Sequence, residues 1–519
     1  MIKDITIVGG GSAGWIAASY MSKHLEGVNI KLIESPDLPV VGVGESTVPP
    51  LVDFMKSLGI EEKEWMSQCN AVYKSSICFQ GFYENTDPPF WFPFSRTWGV
   101  ANEPANRYWL YKHYTDNNFS DRFSLYDYCT LVPEICRQGK TVRSIPGTTY
   151  AYHFDAAEFG EVLKKYAINN GVEYISDTVT RVVQNEDGTV KEVELKEGKP
   201  VSGDLFLDCS GFRSLLIGET LSEPFDEFYD TLFNDRAMAI RVPYEDKEKE
   251  MTSYTNCTAL SSGWVWNTPL YNRIGTGYVY SSKHQSEDEA EQEFRNHLGA
   301  DRVKDVNALH IKIRVGKHRN TWVKNCVAIG LSSGFIEPLE STGIQIFQSE
   351  VHLLTEILKG RNDYNNADIA TYNTSITKFL ELIRDFLVCH YALTSREDTP
   401  YWKDVKYNTK IPESVIEKLI NARANMPSWR NQLQYDNGGP LAGFGFNEGW
   451  YSILAGMNYL PFDFDLHREH EIGVFDRHLK DNMAEADMIY RKLNDEREKV
   501  SAMPSHYQYL KDTVFDGRE

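Results

Sequence analysis

The chain has 519 residues, 41 % hydrophobic and 25 % charged, which fits a globular protein of two or three lobes rather than one small core. Its net charge of −20, from 54 basic against 74 acidic side chains, and the lack of any basic block argue against a nucleic-acid partner. No apolar run approaches the length of a membrane span. The first strand leaves no room for a signal peptide, and the eight cysteines are scattered without a Cys-x-x-Cys pair. No membrane partner, metal or disulfide framework is therefore expected, and the protein reads as cytoplasmic.

In chain order, residues 2–8 are a predicted strand, followed at once by Gly9-Gly-Gly-Ser-Ala-Gly14 and a helical stretch over 15–24. Gly9, Gly11 and Gly14 fit Gly-x-Gly-x-x-Gly, with Ser12 and Ala13 between the last two glycines. Such glycines allow a tight turn, backbone approach to a pyrophosphate, and close helix-strand packing. A second strand over 29–33 ends in Glu34, placed to accept hydrogen bonds from a ribose. Strand, glycine turn, helix, strand and acid together predict dinucleotide binding.

FAD is favoured over NAD. Residues 41–49 repeat Gly-x-Gly at Gly42 and Gly44, but Thr47 stands where a third glycine would be. Gly44, Glu45 and Ser46 therefore read as a flavin-contacting loop. Downstream, Leu205-Phe-Leu-Asp-Cys-Ser-Gly211 is an apolar strand ending in Asp208 and a glycine, similar to the second FAD contact of glutathione-reductase-like flavoproteins. No further Gly-x-Gly-x-x-Gly follows a strand, so the reductant is expected as reduced flavin made elsewhere.

Residues 70–79 alternate Tyr73, Ile77 and Phe79 with Lys74, Ser76 and Cys78, a strand with one polar face on which Lys74 could simply be solvated. Residues 87–94, Asp-Pro-Pro-Phe-Trp-Phe-Pro-Phe, read as a proline-broken aromatic loop that either walls a pocket or packs locally. Tyr150 to Asp155 opens a helix through Asn170, and 172–195 reads as strands with a turn at Glu186-Asp-Gly188. Trp264 and Trp266 share one side of a strand that Pro269 stops, as core or as machinery.

Residues 326–331 are a buried strand, and 344–359 carry apolar residues at helical spacing up to Gly360. Between them Gly334-Phe-Ile-Glu-Pro-Leu-Glu-Ser-Thr-Gly343 is a strand-to-helix loop, with Ser341 or Thr342 placed to cap the helix. Free amides at that start favour an anion, and Glu340 sits beside them. From about residue 361 the chain turns helical, with an apolar stripe at 379, 380, 383, 386 and 387. A glycine-rich break over 436–449 precedes a charged helix pair after about 466.

Gly-x-Gly-x-x-Gly at 9–14, Trp-x-Trp at 264–266 and Phe-x-x-Pro-x-x-Ser-x-Gly at 335–343 together resemble the flavin-dependent halogenases of the tryptophan-halogenase type, with similar text to about residue 460. The resemblance implies an α/β protein: a glutathione-reductase-like FAD-binding fold over 1–360, interleaved with substrate-pocket segments at about 86–145 and 221–300. A mainly helical lobe over 361–519 would complete the pocket. In that family reduced FAD, oxygen and halide give hypohalous acid, which passes through a tunnel to a separate aromatic substrate. Lys74 matches the lysine that meets the hypohalous acid, and Glu340 the glutamate that steadies the ring cation and takes its proton. The same pair could otherwise be a structural salt bridge.

The resemblance further implies FAD contacts at Gly330, Gly343 and Ile344, and halide at the Thr342 and Gly343 amides. Trp264, Trp266, Phe335, Pro338 and Ser341 would line the tunnel, and Phe92, Phe94, Phe446 and Trp450 the substrate pocket. FADH2 is the implied cofactor form, chloride, bromide or iodide the co-substrate, and a separate NAD(P)H-dependent flavin reductase the partner, with a homo-oligomer possible. Two departures stand out. Thr268 replaces the isoleucine of the family's Trp-x-Trp-x-Ile-Pro, and Phe92 replaces the histidine of Tyr-His-Pro-Phe, which puts free tryptophan in doubt as substrate. A hydroxylating flavin monooxygenase and a non-catalytic FAD-binding protein are the alternatives.

Overall fold

Strands buried on both faces build the first layer. In the computed structural model, which describes residues 1–37, 44–94, 130–145, 148–424, 449–459 and 483–518 with Trp109 and Leu125, strand Asp4–Val8 lies inside a six-stranded sheet. The order is Trp322–Val323, Cys326–Ala328, Leu205–Asp208, Asp4–Val8, Asn29–Glu34 and Glu173–Ser176, parallel except at the Trp322–Val323 edge. The inner strands are mostly apolar because both of their faces are covered, while the Glu173–Ser176 edge stays polar and partly exposed. Ile5, Ile7, Leu32 and Leu207 face one core, and Val8, Ile33 and Phe206 a second. Helix Ser12–His24 packs against helices Ala156–Asn169 and Gly343–Leu358.

A second sheet of seven strands runs Leu309–Lys312, Arg236–Val242, Ile274–Tyr280, Gly263–Pro269, Tyr254–Ala259, Ser76–Gln80, Phe90–Pro93. A small three-stranded sheet, Glu45–Ser46, Ala151–Phe154 and Val72–Lys74, stands beside it. The chain passes from the small sheet to the large one at Ser75. The Ser75 amide donates to Ser253 O at 2.7 Å, and its carbonyl accepts from the Phe94 amide at 2.9 Å. The predicted single strand over 70–79 is therefore two strands in two sheets, and its polar face is not solvated: Lys74, Ser75 and Ser76 are fully buried.

Two other expectations change. Phe90–Pro93 is a strand rather than a loop, and Pro93 is tolerated because it ends an edge strand, where a missing N–H costs little. Residues 151–154 are also a strand; the helix begins only after Asp155, whose carboxylate accepts from the Ala157 amide at 3.0 Å. The C-terminal region is helical as expected: Asn366–Ala392, Pro400–Asn408, Glu413–Ala424, Gly449–Gly456, Met483–Val500 and His506–Thr513. The glycine-rich break lies almost wholly outside the described residues. Among those residues no helix is long and apolar enough to cross a membrane, and all seven cysteines are free and buried.

Trp264 and Trp266 lie on one side of strand Gly263–Pro269, ring centroids 6.2 Å apart. Gly277 on the next strand makes room for the second ring, since a Cβ there would sit 2.1 Å from the Trp266 ring and 2.4 Å from Met238 O. Gly277→Ala should destabilise the protein by about 1–3 kcal/mol, the range for overpacking, and lower its melting temperature. An unchanged melt would contradict this packing.

Candidate active site

The glycine turn can be tested against the group it is expected to hold. A Cβ on Gly9 would lie 2.2 Å from Cys209 O, and one on Gly14 1.9 Å from Gly9 O, so these two glycines serve close packing. A Cβ on Gly11 would meet nothing within 4 Å. Gly11 also caps helix Ser12–His24 without a side-chain hydrogen bond, leaving the first-turn amides as donors to open space. Gly330 faces Ala13, and the Glu34 carboxylate lies against Gly10, where it accepts from Lys164 Nζ at 2.8 Å. These groups gather at the carboxyl ends of the parallel strands, the place where such sheets bind dinucleotides. The donor set fits FAD.

Asp208 differs from its expected role. Its Oδ1 accepts from the Ser210 amide and hydroxyl, and its Oδ2 from the Leu216 and Ile217 amides at 2.8 Å. Both oxygens are occupied within the protein, so the side chain shapes the 209–217 turn instead of contacting a ligand. Gly44, Glu45 and Ser46 lead into the small sheet, where Ser46 pairs with His153 and Glu45 with Phe154.

The loop 334–343 is tied down from behind. Glu350, buried in helix Gly343–Leu358, accepts from the Gly330 amide at 2.7 Å and from the Ser333 hydroxyl; burial pushes its carboxyl up to about 8. Phe335 packs edge-on against Phe212 at 5.4 Å, and Pro338 starts the short turn Pro338–Glu340. Ser341 then takes a left-handed φ of +59°, unusual for a residue other than glycine. Neither expected cap is made. Thr342 occupies the N-cap position but its buried hydroxyl has no partner, and Ser341 points elsewhere. The helix start is left open to an anion, and a Cβ on Gly343 would meet nothing within 4 Å. Ile344 turns into the core.

Ser341 reaches Lys74. Its Oγ accepts from Lys74 Nζ at 2.8 Å, and Nζ also donates to Thr47 O at 2.9 Å. An ammonium has three donors, so one N–H is left beside the Phe94 ring, whose centroid is 5.0 Å away. Complete burial pushes this lysine down from 10.5 to about 7, against the pull of Cys257 and Glu340. Between those values the unfolded chain holds the proton more tightly, so Lys74 makes folding more favourable as pH rises from about 7 to 10.5.

Glu340 makes no ion pair with Lys74 within 4.0 Å among the described residues. Its Oε1 meets His390 Nε2 at 2.7 Å, while its buried Oε2 has no partner. His390 Nδ1 lies 3.1 Å from Phe386 O, which can only accept, so Nδ1 carries a hydrogen and the Nε2–Oε1 contact shares one proton. Burial raises the Glu340 carboxyl while His390 and Lys74 oppose that.

Aromatic rings continue from here. Phe92 meets Phe94 and Phe386 edge-on, each at 6.0 Å, and Phe386 meets Trp450 at 5.2 Å. The structure thus joins Lys74, Phe94, Phe92 and Trp450 through Phe386 and His390 to Glu340. Phe446 lies outside the described residues. Sequence reasoning missed Phe386 and His390, although 390 continues the apolar stripe at 379, 383 and 386. It also missed Asn234 and Tyr391, which hydrogen-bond a second buried carboxylate, Glu337.

A flavin-binding α/β fold with a buried lysine and glutamate beside an open helix start defines a class of flavoenzyme. Residues 4–470 match the family model described as tryptophan halogenase. The tryptophan 6-halogenase SttH of Streptomyces toxytricini is 37 % identical over 464 residues, 84 % of this chain and 87 % of that protein. The tryptophan 7-halogenase RebH of Lentzea aerocolonigenes is 37 % identical over 487 residues, 89 % of this chain and 90 % of that one. The solved structure of Tar14, a tryptophan C-6 flavin-dependent halogenase from taromycin biosynthesis, superposes with a TM-score of 0.85 at 32 % identity, covering 98 % of this chain and 99 % of that one. The chain belongs to the tryptophan halogenase family. It is a flavin-dependent halogenase of an electron-rich aromatic, with flavin and halide as reagents and a separate flavin reductase as its source of reduced cofactor.

Gly11→Val should keep the fold, because its side chain enters open space, and abolish FAD binding if that space is where the pyrophosphate approaches. A titration in which the variant binds FAD like the parent would remove the site from residues 9–14.

Proposed function

We propose that FAD binds as FADH2 along Gly9–Gly14, Glu34, Gly44–Ser46, Gly330 and Gly343, with residues 1–360 as its box and 361–519 closing an aromatic pocket. Chloride, bromide or iodide rests on the Thr342 and Gly343 amides. The reduced cofactor comes from an NAD(P)H-dependent reductase and, when bound, supplies the two electrons that turn oxygen and halide into hypohalous acid. Trp264, Trp266, Phe335, Pro338 and Ser341 line the way from there to Lys74.

One observation carries this reading: a buried lysine and a buried carboxyl group that make no ion pair with each other, each with a hydrogen-bonding position unused. Stability alone would favour giving the lysine a carboxylate partner, since an uncompensated buried charge is costly. The spare Lys74 N–H hydrogen-bonds the hypohalous oxygen and polarises the O–X bond. The ring attacks the halogen, the carbon–halogen bond forms, and the oxygen leaves as water with a proton from Lys74. Glu340 Oε2 steadies the ring cation and then takes its proton, with His390 holding Oε1. Phe92, Phe94 and Trp450 hold the flat ring, an indole or phenol. A direct hydroxylation would need no remote lysine, and a flavin-binding protein without activity would need neither charge.

Reduced flavin, oxygen, each halide in turn and a panel of indoles and phenols, read by mass spectrometry, test the reading as a whole. Lys74→Ala should oxidise reduced flavin at near the parental rate yet give no halogenated product. Glu340→Gln should retain a small fraction of turnover, a loss of about 10²–10⁴-fold for a positioned proton acceptor. Parental halogenation by Lys74→Ala would end this mechanism. Phe94→Ala should shift regiochemistry or substrate range while halide-dependent flavin chemistry continues; unchanged product ratios would take the 90–94 segment out of the pocket.

A further inference from the structure

Behind Lys74 runs a chain of hydroxyl groups, buried except at the half-buried Ser46, that the halogenation steps above do not use. Ser341 Oγ, which accepts from Lys74 at 2.8 Å, lies 3.0 Å from Ser46 Oγ. Ser46 Oγ is 2.7 Å from Thr255 Oγ1, and Thr255 Oγ1 is 2.8 Å from His153 Nε2. The five residues come from four strands and the 334–343 loop, meeting where the small and the large sheet adjoin. Lys74, Ser341, Thr255 and His153 are all buried.

We propose that His153 is a positioning residue for Lys74: through Thr255 and Ser46 it sets the direction of this chain, so that Ser341 turns a lone pair, not a hydrogen, towards the lysine. The inference rests on the reading of Lys74 given above. Each hydroxyl has one hydrogen to give, so the direction at one end fixes the direction throughout. The direction is read at the Lys74 end: the ammonium can only donate to Ser341, and the Ser341 hydroxyl gives its hydrogen to Ser46. Continued in that sense, the chain ends on His153 Nε2 as its acceptor, which puts the ring hydrogen on Nδ1, an atom without a partner. Thr255 gives to His153, Ser46 to Thr255, Ser341 to Ser46, and Lys74 gives to Ser341.

In the reverse direction Ser341 would receive the Ser46 hydrogen, so it would either share its lone pairs between Ser46 and Lys74 or turn its own hydrogen on a neutral amine. The tautomer of one buried ring is thus linked to the charge of a lysine three hydroxyls away. Burial, with the nearby Lys74 charge, keeps His153 well below its usual range and so neutral. On its other sides Lys74 faces Glu340 and the Cys257 thiol, which pull its affinity for a proton upwards, and the Phe94 ring. Those groups stay in place when His153 changes.

The test compares pH profiles of product formation, with bromide and the panel aromatic that the parent halogenates fastest, against flavin oxidation in the same tubes. In the parent, halogenation falls as pH rises through the Lys74 titration, near 7 by burial, while flavin oxidation does not follow it. His153→Phe cannot accept, so its falling limb should lie about one to two pH units lower, the scale of a lost hydrogen bond to a charged group. His153→Gln, whose amide oxygen can accept, should restore the parental limb. Thr255→Val, close in shape, should shift the limb as His153→Phe does, and Thr255→Ser should not; either shifted variant that binds FAD carries the test. A purely structural role would lower the yield by one factor at all pH values. That result, or a parental limb in a folded His153→Phe or Thr255→Val, overturns the proposal. Lys74→Ala run alongside separates the two readings: product from it ends the lysine mechanism itself, whereas no product together with a parental limb in His153→Phe ends only the role of His153.

Discussion

A buried ammonium constrains its surroundings more than any other group in this protein. Lys74 has no carboxylate within ion-pair distance among the described residues, so its charge is met by a carbonyl, a hydroxyl and a ring. Thr47 must end its carbonyl there, which the small sheet arranges by pairing Glu45–Ser46 and Val72–Lys74 on either side of Ala151–Phe154. The chain must also leave that sheet straight after Lys74. It does so at Ser75, whose backbone bonds to Ser253 and Phe94 bring the aromatic strand alongside the lysine. One residue therefore joins the flavin-binding half to the half that carries the aromatic rings.

Ser341 makes the second joint. Its left-handed backbone conformation costs of order 1–3 kcal/mol for a residue other than glycine. It lets a single tight turn send Glu340 and the Ser341 hydroxyl to the lysine side while the helix begins on the other side with its amides unused. A side-chain cap on that helix would recover up to about 2 kcal/mol but would fill the place proposed for the halide. The buried Thr342 hydroxyl without a partner is consistent with a helix start kept open for a ligand.

Local patterns in the sequence located the glycine turn, the strand-to-helix loop and the helical C-terminal region, because each is decided by residues close in the chain. Gly9 to Gly14 could be read this way, and so could the 344–359 helix. What depends on tertiary pairing could not. The 87–94 segment looks like a loop from its prolines, and its Phe90–Pro93 part becomes a strand only because Ser76–Gln80 offers an edge. Lys74 reads as a solvated lysine until the second sheet covers it. Asp208 matches a ligand position by pattern, yet the amides of Leu216 and Ile217 reach it first. His390 sits on an apolar stripe that explains its burial but not its partner, fifty residues earlier in the chain. The Ser46–Thr255–His153 chain joins three separate strands and has no signature in any one of them.

The central claim is that halide and aromatic ring occupy two sites divided by Ser341, with Lys74 and Glu340 on the ring's side. The most direct measurement is a crystal of the protein with FAD, bromide and a halogenated-in-solution panel aromatic, the bromide located by its anomalous scattering. The account predicts one bromide at the Thr342 and Gly343 amides and the ring among Phe94, Phe92 and Trp450, with a carbon facing Lys74 Nζ and Glu340 Oε2. Bromide bound at Lys74 itself, or a ring lying on the flavin side of Ser341, would contradict it.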